Sequence, residues 1–132
     1  MQVLLVHADA DGSDRIRQAL SMDGCEAALT HVHDVTGFLA AMESWRFEVI
    51  LLDYRPPFHG GAVLAAARRW WPAMPVIALC ARAAEPDGRL ALLQGAVEYV
   101  PQDEWFRLSS MIRPLLAAPG TSVVTHRLRG AC

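Results

Sequence analysis

Five short apolar runs, each separated from the next by a helix-length segment, set the first constraint on this chain: Val3–Val6, Cys25–Val32, Val49–Leu52, Val76–Cys80 and Val97–Val100. No adjacent pair is joined by a two-residue turn, so hairpins are excluded and each run must reach the next through a crossover. The intervening segments carry helical patterns. Ser13 is placed to cap the first helix, and Ile16, Ala19 and Leu20 then share a face until Asp23-Gly24 stops it. Thr36–Ser44 turns Phe38, Leu39 and Met42 inward, Ala62–Trp71 ends before Pro72 and Pro75, and Asp87–Gln94 ends at Gly95. The last helix is predicted to begin near Glu104, with Leu108, Met111, Ile112, Leu115 and Leu116 buried and Arg107 and Arg113 outside the stripe. Pro114 should kink or shorten it. Right-handed crossovers then require an α/β architecture: a doubly wound, five-stranded parallel sheet with helices on both faces. The strand order expected for a chain of this length is 2-1-3-4-5, with its switch point between the first and third strands.

At 132 residues the chain has the size of one domain, covering residues 1–118. From Pro119 onward periodicity is lost, and 119–132 reads as a flexible tail or linker stub. A hydrophobic content of 53% with a net charge of −2 argues against disorder and against a nucleic-acid surface built on bulk positive charge. No apolar run approaches the roughly 20 residues needed to cross a bilayer, so no membrane contact is expected and a cytoplasmic location is. Cys25, Cys80 and Cys132 are odd in number and lack metal-ligand spacing, which suggests free thiols. All twelve basic residues are arginine; the chain contains no lysine.

The third run, Phe47-Glu48-Val49-Ile50-Leu51-Leu52, stops at the carboxylate of Asp53 and is followed by Tyr54-Arg55-Pro56-Pro57-Phe58-His59-Gly60-Gly61. Asp53 therefore falls where a central strand becomes a loop. Ligand crevices in open α/β sheets lie just outside the carboxyl ends of the strands, and the expected strand order brings His7, Ala8 and Asp9 beside Asp53.

These residues resemble the receiver domain of two-component response regulators (the CheY-like superfamily, with a flavodoxin-like fold). The resemblance runs from Val3 to Ala118. It rests on Leu4-Leu5-Val6 before an acidic loop, Leu51-Leu52-Asp53 with Pro57 and Gly61, Pro75-Val76-Ile77-Ala78-Leu79-Cys80-Ala81, and Gly95-Ala96-Val97-Glu98-Tyr99-Val100. It implies that Asp53 stands at the phosphoacceptor position, receiving a phosphoryl group from a histidine kinase or phosphotransfer protein. Such transfer is driven by positioning and by stabilising charge on the equatorial oxygens. The family supplies this with an acidic pair holding Mg²⁺ after strand one, a Ser or Thr after strand four and a Lys after strand five.

This sequence departs from that set. His7 and Ala8 stand at the acidic pair, so a ligand position is lost at Ala8 and only Asp53, the Arg55 carbonyl and a shifted Asp9 remain to hold a weakened Mg²⁺. Cys80 occupies the hydroxyl switch position, and its thiol is a poor donor to phosphoryl oxygen. Gln102 falls at the lysine position. Tyr99 corresponds to the family's aromatic switch residue. The resulting expectation is a pseudo-receiver, not an enzyme, that signals through protein contacts, with self-catalysed transfer to Asp53 the most it could do. The alternative is a phosphorylatable domain in which His7 or Arg55 replaces the missing cation.

A second alternative, a small ligand- or flavin-binding protein on the same fold, lacks a Ser/Thr/Gly-rich phosphate cradle after the first strand. A DNA-binding regulator would need an output domain. His7, Asp9, Asp53 and His59 could converge on Zn²⁺, although no short-range ligand spacing supports it. His31 and His33 are expected to face solvent rather than act as ligands, and no cofactor other than Mg²⁺ is expected. Trp70 and Trp71 cannot both face the sheet, so one should be exposed. In receivers the surface of the fourth helix, fifth strand and fifth helix commonly dimerises or meets an effector. Here it carries Glu85, Asp87, Arg89, Asp103, Glu104, Arg107 and Arg113, a mixed set suited to reciprocal salt bridges in a homodimer.

Overall fold

The computed structural model describes residues 1–6, 10–21, 27–54, 60–80 and 86–116. Strands β1 (Gln2–Val6), β2 (Ala28–Val32), β3 (Val49–Asp53), β4 (Val76–Cys80) and β5 (Glu98–Pro101) pair in parallel as one sheet, in the order β2-β1-β3-β4-β5. Helices α1 (Ala10–Ser21), α2 (Val35–Ser44), α3 (Gly61–Trp70), α4 (Pro86–Leu93) and α5 (Leu108–Leu116) alternate with them, and a 3-10 helix, Gln102–Arg107, leads into α5. This is the doubly wound α/β fold with order 2-1-3-4-5.

Side chains alternate across a pleated strand, so the continuous apolar runs of β1, β3 and β4 feed two cores. Leu4, Val6, Ile50, Leu52 and Ala78 pack with Phe38 and Met42 of α2, Val63 and Leu64 of α3 and Ala91 of α4. On the opposite face Val3, Leu5, Leu51, Ile77 and Leu79 meet Ile16 and Leu20 of α1, together with Trp105, Leu108 and Ile112. Phe38, Met42 and the half-buried Leu39 therefore point inward as their spacing predicts. Of the two adjacent tryptophans, Trp71 meets Phe38 edge-to-face at 5.8 Å while Trp70 is 61% exposed.

Several boundaries differ from expectation. Helix α1 begins at Ala10, so Ser13 is an interior residue and not the cap; burial of Gly12 and Ser13 outweighs the weak helix propensity of Asp-Gly-Ser. Strand β2 starts at Ala28 instead of Cys25, because its partner β1 offers pairing only from Gln2↔Ala28 to Val6↔Val32. The segment from Glu104 is a 3-10 helix, not the start of α5. Its tighter turn brings residues three apart into line, and Trp105 and Leu108 are both buried in the same core. Arg113 is half-buried rather than outside the apolar stripe, and Pro114 lies two residues before the end of α5.

Two termini are set by particular contacts. Asp34 caps α2, its Oδ1 accepting from the Gly37 amide at 2.8 Å. Gly95 closes α4 at φ 118°, and a Cβ there would come within 2.7 Å of Arg68. Among the described residues no helix is long and apolar enough to cross a membrane.

Replacing Leu51, fully buried in β3, by Ala should lower unfolding free energy by about 2–5 kcal/mol. The same change at Leu93, which is 83% exposed, should shift it by no more than about 0.5 kcal/mol. Urea denaturation of the two variants beside the parent checks both.

Candidate functional site

Asp53 is the last residue of β3 and only 2% exposed. Its position follows from register. Leu52 pairs with Val6, which places Asp53 one step beyond the end of β1, and Asp53 itself pairs with Leu79 of β4. The Tyr54 amide donates to the Leu79 carbonyl at 2.9 Å, extending the ladder past the carboxylate.

Cys80 is the next residue along β4, and it pairs with Pro101 of β5, so Gln102 follows immediately beyond. The acceptor position, the hydroxyl position and the lysine position of the resemblance therefore come from the carboxyl ends of three adjacent strands. With strands about 4.8 Å apart, the outer two backbones are about 10 Å from each other. Cys80 is buried, and Gln102 is half-buried at the start of the 3-10 helix. Tyr99 is half-buried against the α2/α3/α4 core, the same core that contains Cys80. A thiol and a carboxamide, neither of them cationic, thus stand where the resemblance places a hydroxyl and an ammonium.

His7, Ala8, Asp9, Arg55 with its carbonyl, and His59 lie outside the described residues, as do Cys25 and Cys132. Asp53 is the only member of the expected Mg²⁺ set within them. Among the described residues no group of three or more His, Cys, Asp and Glu side chains is gathered to hold a metal ion. His31 is half-buried and His33 exposed.

The neighbour of Asp53 was not singled out by the sequence. Tyr54 is buried, and its hydroxyl donates to the carboxamide oxygen of Gln94, just past the end of α4. A Cβ on Gly60 would fall 2.6 and 2.7 Å from the Tyr54 ring, so this position, which caps α3, admits only glycine without displacing the ring. Nothing in the sequence marked a partner for Tyr54 that lies 40 residues away.

The surface formed by α4, β5 and α5 presents Arg89, Asp103 and Arg107 to solvent. Arg107 pairs with Glu104 within one turn of the 3-10 helix, Glu85 and the Asp87 side chain lie outside the described residues, and Leu90, Leu93 and Val97 are exposed.

No protein-family model matches the sequence, and no curated protein matches it. Solved structures do. The receiver domain of NtrX from Brucella abortus superposes with a TM-score of 0.75 at 22% identity, over 88% of this chain and 98% of that one. The chain has the fold of response regulator receiver domains. A Francisella response regulator 1452 receiver domain gives 0.71 at 22% identity over 86% and 94% of the two chains. A BeF3-activated DrrB receiver domain gives 0.71 at 18% identity over 87% and 96%. At such identities the likeness is one of fold, and in this receiver fold Asp53 occupies the carboxyl end of the central strand.

The tyrosine and the glycine beneath it should behave as a coupled pair. Gly60→Ala should cost about 1–3 kcal/mol of stability, and most of that cost should vanish in a Tyr54→Ala background, as a double-mutant cycle in urea would measure.

Proposed function

We propose that this chain is a receiver domain of two-component signal transduction in which Asp53 keeps the phosphoacceptor position while the groups that support transfer are lost, so that signalling proceeds through protein contacts. The observation that supports it most is the alignment of Asp53, Cys80 and Gln102 at the ends of β3, β4 and β5. Phosphoryl transfer to a carboxylate needs neutralisation of charge on the moving group. The chain offers a soft, weakly donating thiol and a neutral amide at the two places where that charge would be met.

The ligand set suits Mg²⁺ poorly: that ion takes hard oxygen ligands in a near-octahedral shell, and Ala8 stands where the resemblance places a carboxylate. Asp53 instead acts as a buried polar group at the switch point, flanked by the adjoining strand end and Tyr54. Its upstream partner in this reading is a histidine kinase or a phosphotransfer protein that docks on the scaffold. The α4/β5/α5 face, with Leu90, Leu93 and Val97 exposed, is the surface for a second copy. The protein is not an enzyme in this scheme.

Intact mass spectrometry after incubation with a small phosphodonor and Mg²⁺ tests the reading. The parent chain should gain no stable phosphoryl group, whereas a variant carrying Ala8→Asp, Cys80→Thr and Gln102→Lys should gain one that Asp53→Asn removes. Stable labelling of the parent, absent in its Asp53→Asn form, would defeat the pseudo-receiver assignment. An unlabelled but folded triple variant would defeat the placement of the acceptor at Asp53.

A further inference from the structure

We propose that His31 and His33 form a two-imidazole chelate for a divalent transition-metal ion on the edge strand β2. Their ring centroids are 4.5 Å apart and their planes are inclined at 52°. Residues two apart in an extended strand project from the same face, which accounts for the proximity. The inclination matters as much as the distance. In flat stacking the nitrogen lone pairs lie in parallel planes that never meet, whereas inclined ring planes cross and so allow two lone pairs to share one ion. An ion about 2.0–2.1 Å from each nitrogen requires those nitrogens to come roughly 3 Å apart, so the side chains would turn about their χ angles to seat it.

The backbone on both sides of the pair is held. His31 pairs with Leu5 of β1, and His33 directly precedes Asp34, whose carboxylate is engaged by the Gly37 amide at 2.8 Å. The two side chains thus project from a ladder at one end and a helix cap at the other, which lowers the entropy lost on binding. Strand β2 is at the end of the sheet order, and His33 is exposed, so water can complete the coordination shell. Imidazole nitrogen favours nickel, copper and zinc over magnesium or calcium, and affinity rises along the series to copper.

The site is separate from the acceptor position. Residues Val32, Val6 and Leu52 share one row across β2, β1 and β3, so His33 and Asp53 belong to the next row, two strand spacings apart, or about 10 Å between backbones. The proposal therefore does not depend on phosphorylation of Asp53.

Titration of the full chain with Ni²⁺ in a calorimeter provides the test. We expect binding that weakens about tenfold or more in His33→Gln and likewise in His31→Gln, as loss of a metal-supporting group commonly does. Asp53→Asn should bind as the parent does. Because Ni²⁺ is paramagnetic, the ring proton signals of His31 and His33 should also broaden first among the histidines in the NMR spectrum of the parent. Absence of Ni²⁺ binding, equal affinity in parent and His33→Gln, or broadening centred on other histidines would overturn the proposal. A loss caused by Asp53→Asn alone would do the same, since it would assign the ion to the acceptor crevice.

Discussion

A carboxylate taken almost wholly out of water at the end of a central strand is the constraint around which this molecule is arranged. Burying an ionisable group is costly unless its surroundings supply polar partners, so its position cannot be incidental to the packing. Asp53 is reached by the one strand with β1 on one side and β4 on the other, whose side chains feed both cores. The parallel order follows the crossovers, and the crossovers bring the ends of three strands to the same edge. The chemistry of that edge then depends on only a few residues. In the proposed reading, a thiol and an amide at the ends of the adjoining strands shift the balance from covalent transfer toward recognition.

Strand positions were legible because parallel central strands advertise themselves as uninterrupted apolar runs: Val76–Cys80 was read without error, and Val49–Asp53 to within its last residue. Helix starts were less so. The Asp11-Gly12-Ser13 segment looks like a loop by propensity, and only burial of the small residues shows that tertiary packing draws it into α1. The same limitation hid the 3-10 helix, since a threefold and a 3.6-fold stripe cannot be told apart over one turn around Trp105 and Leu108. The position of Asp53 was accessible from the end of its strand, while Cys80 and Gln102 were singled out only through the family resemblance. The Tyr54–Gln94 bond and the convergence of His31 with His33 were not legible, because the first joins distant segments and the second depends on ring orientation.

Tyr54 gives the edge a mechanical character of its own. Its amide continues the β3/β4 ladder, its ring lies over Gly60, and its hydroxyl reaches Gln94. One residue beside the carboxylate therefore joins the end of β3, the start of α3 and the end of α4. On the opposite face Arg15 of α1 lies over the Trp105 ring at 5.5 Å, so the 3-10 helix is tied to the first helix by a contact of a different kind.

The last strand has a further bearing on how the molecule behaves among its own copies. An open sheet ends in unsatisfied backbone groups that can recruit a neighbouring chain, and β5 is one of these rims. It is four residues long, starts at the exposed, negatively charged Glu98 and finishes at Pro101, which has no N–H to offer. Short length, charge and an imino acid all oppose continuation of the ladder from one molecule into another. Association along this flank is thereby left to side chains rather than to main-chain pairing, which favours reversible encounters over fibrous growth.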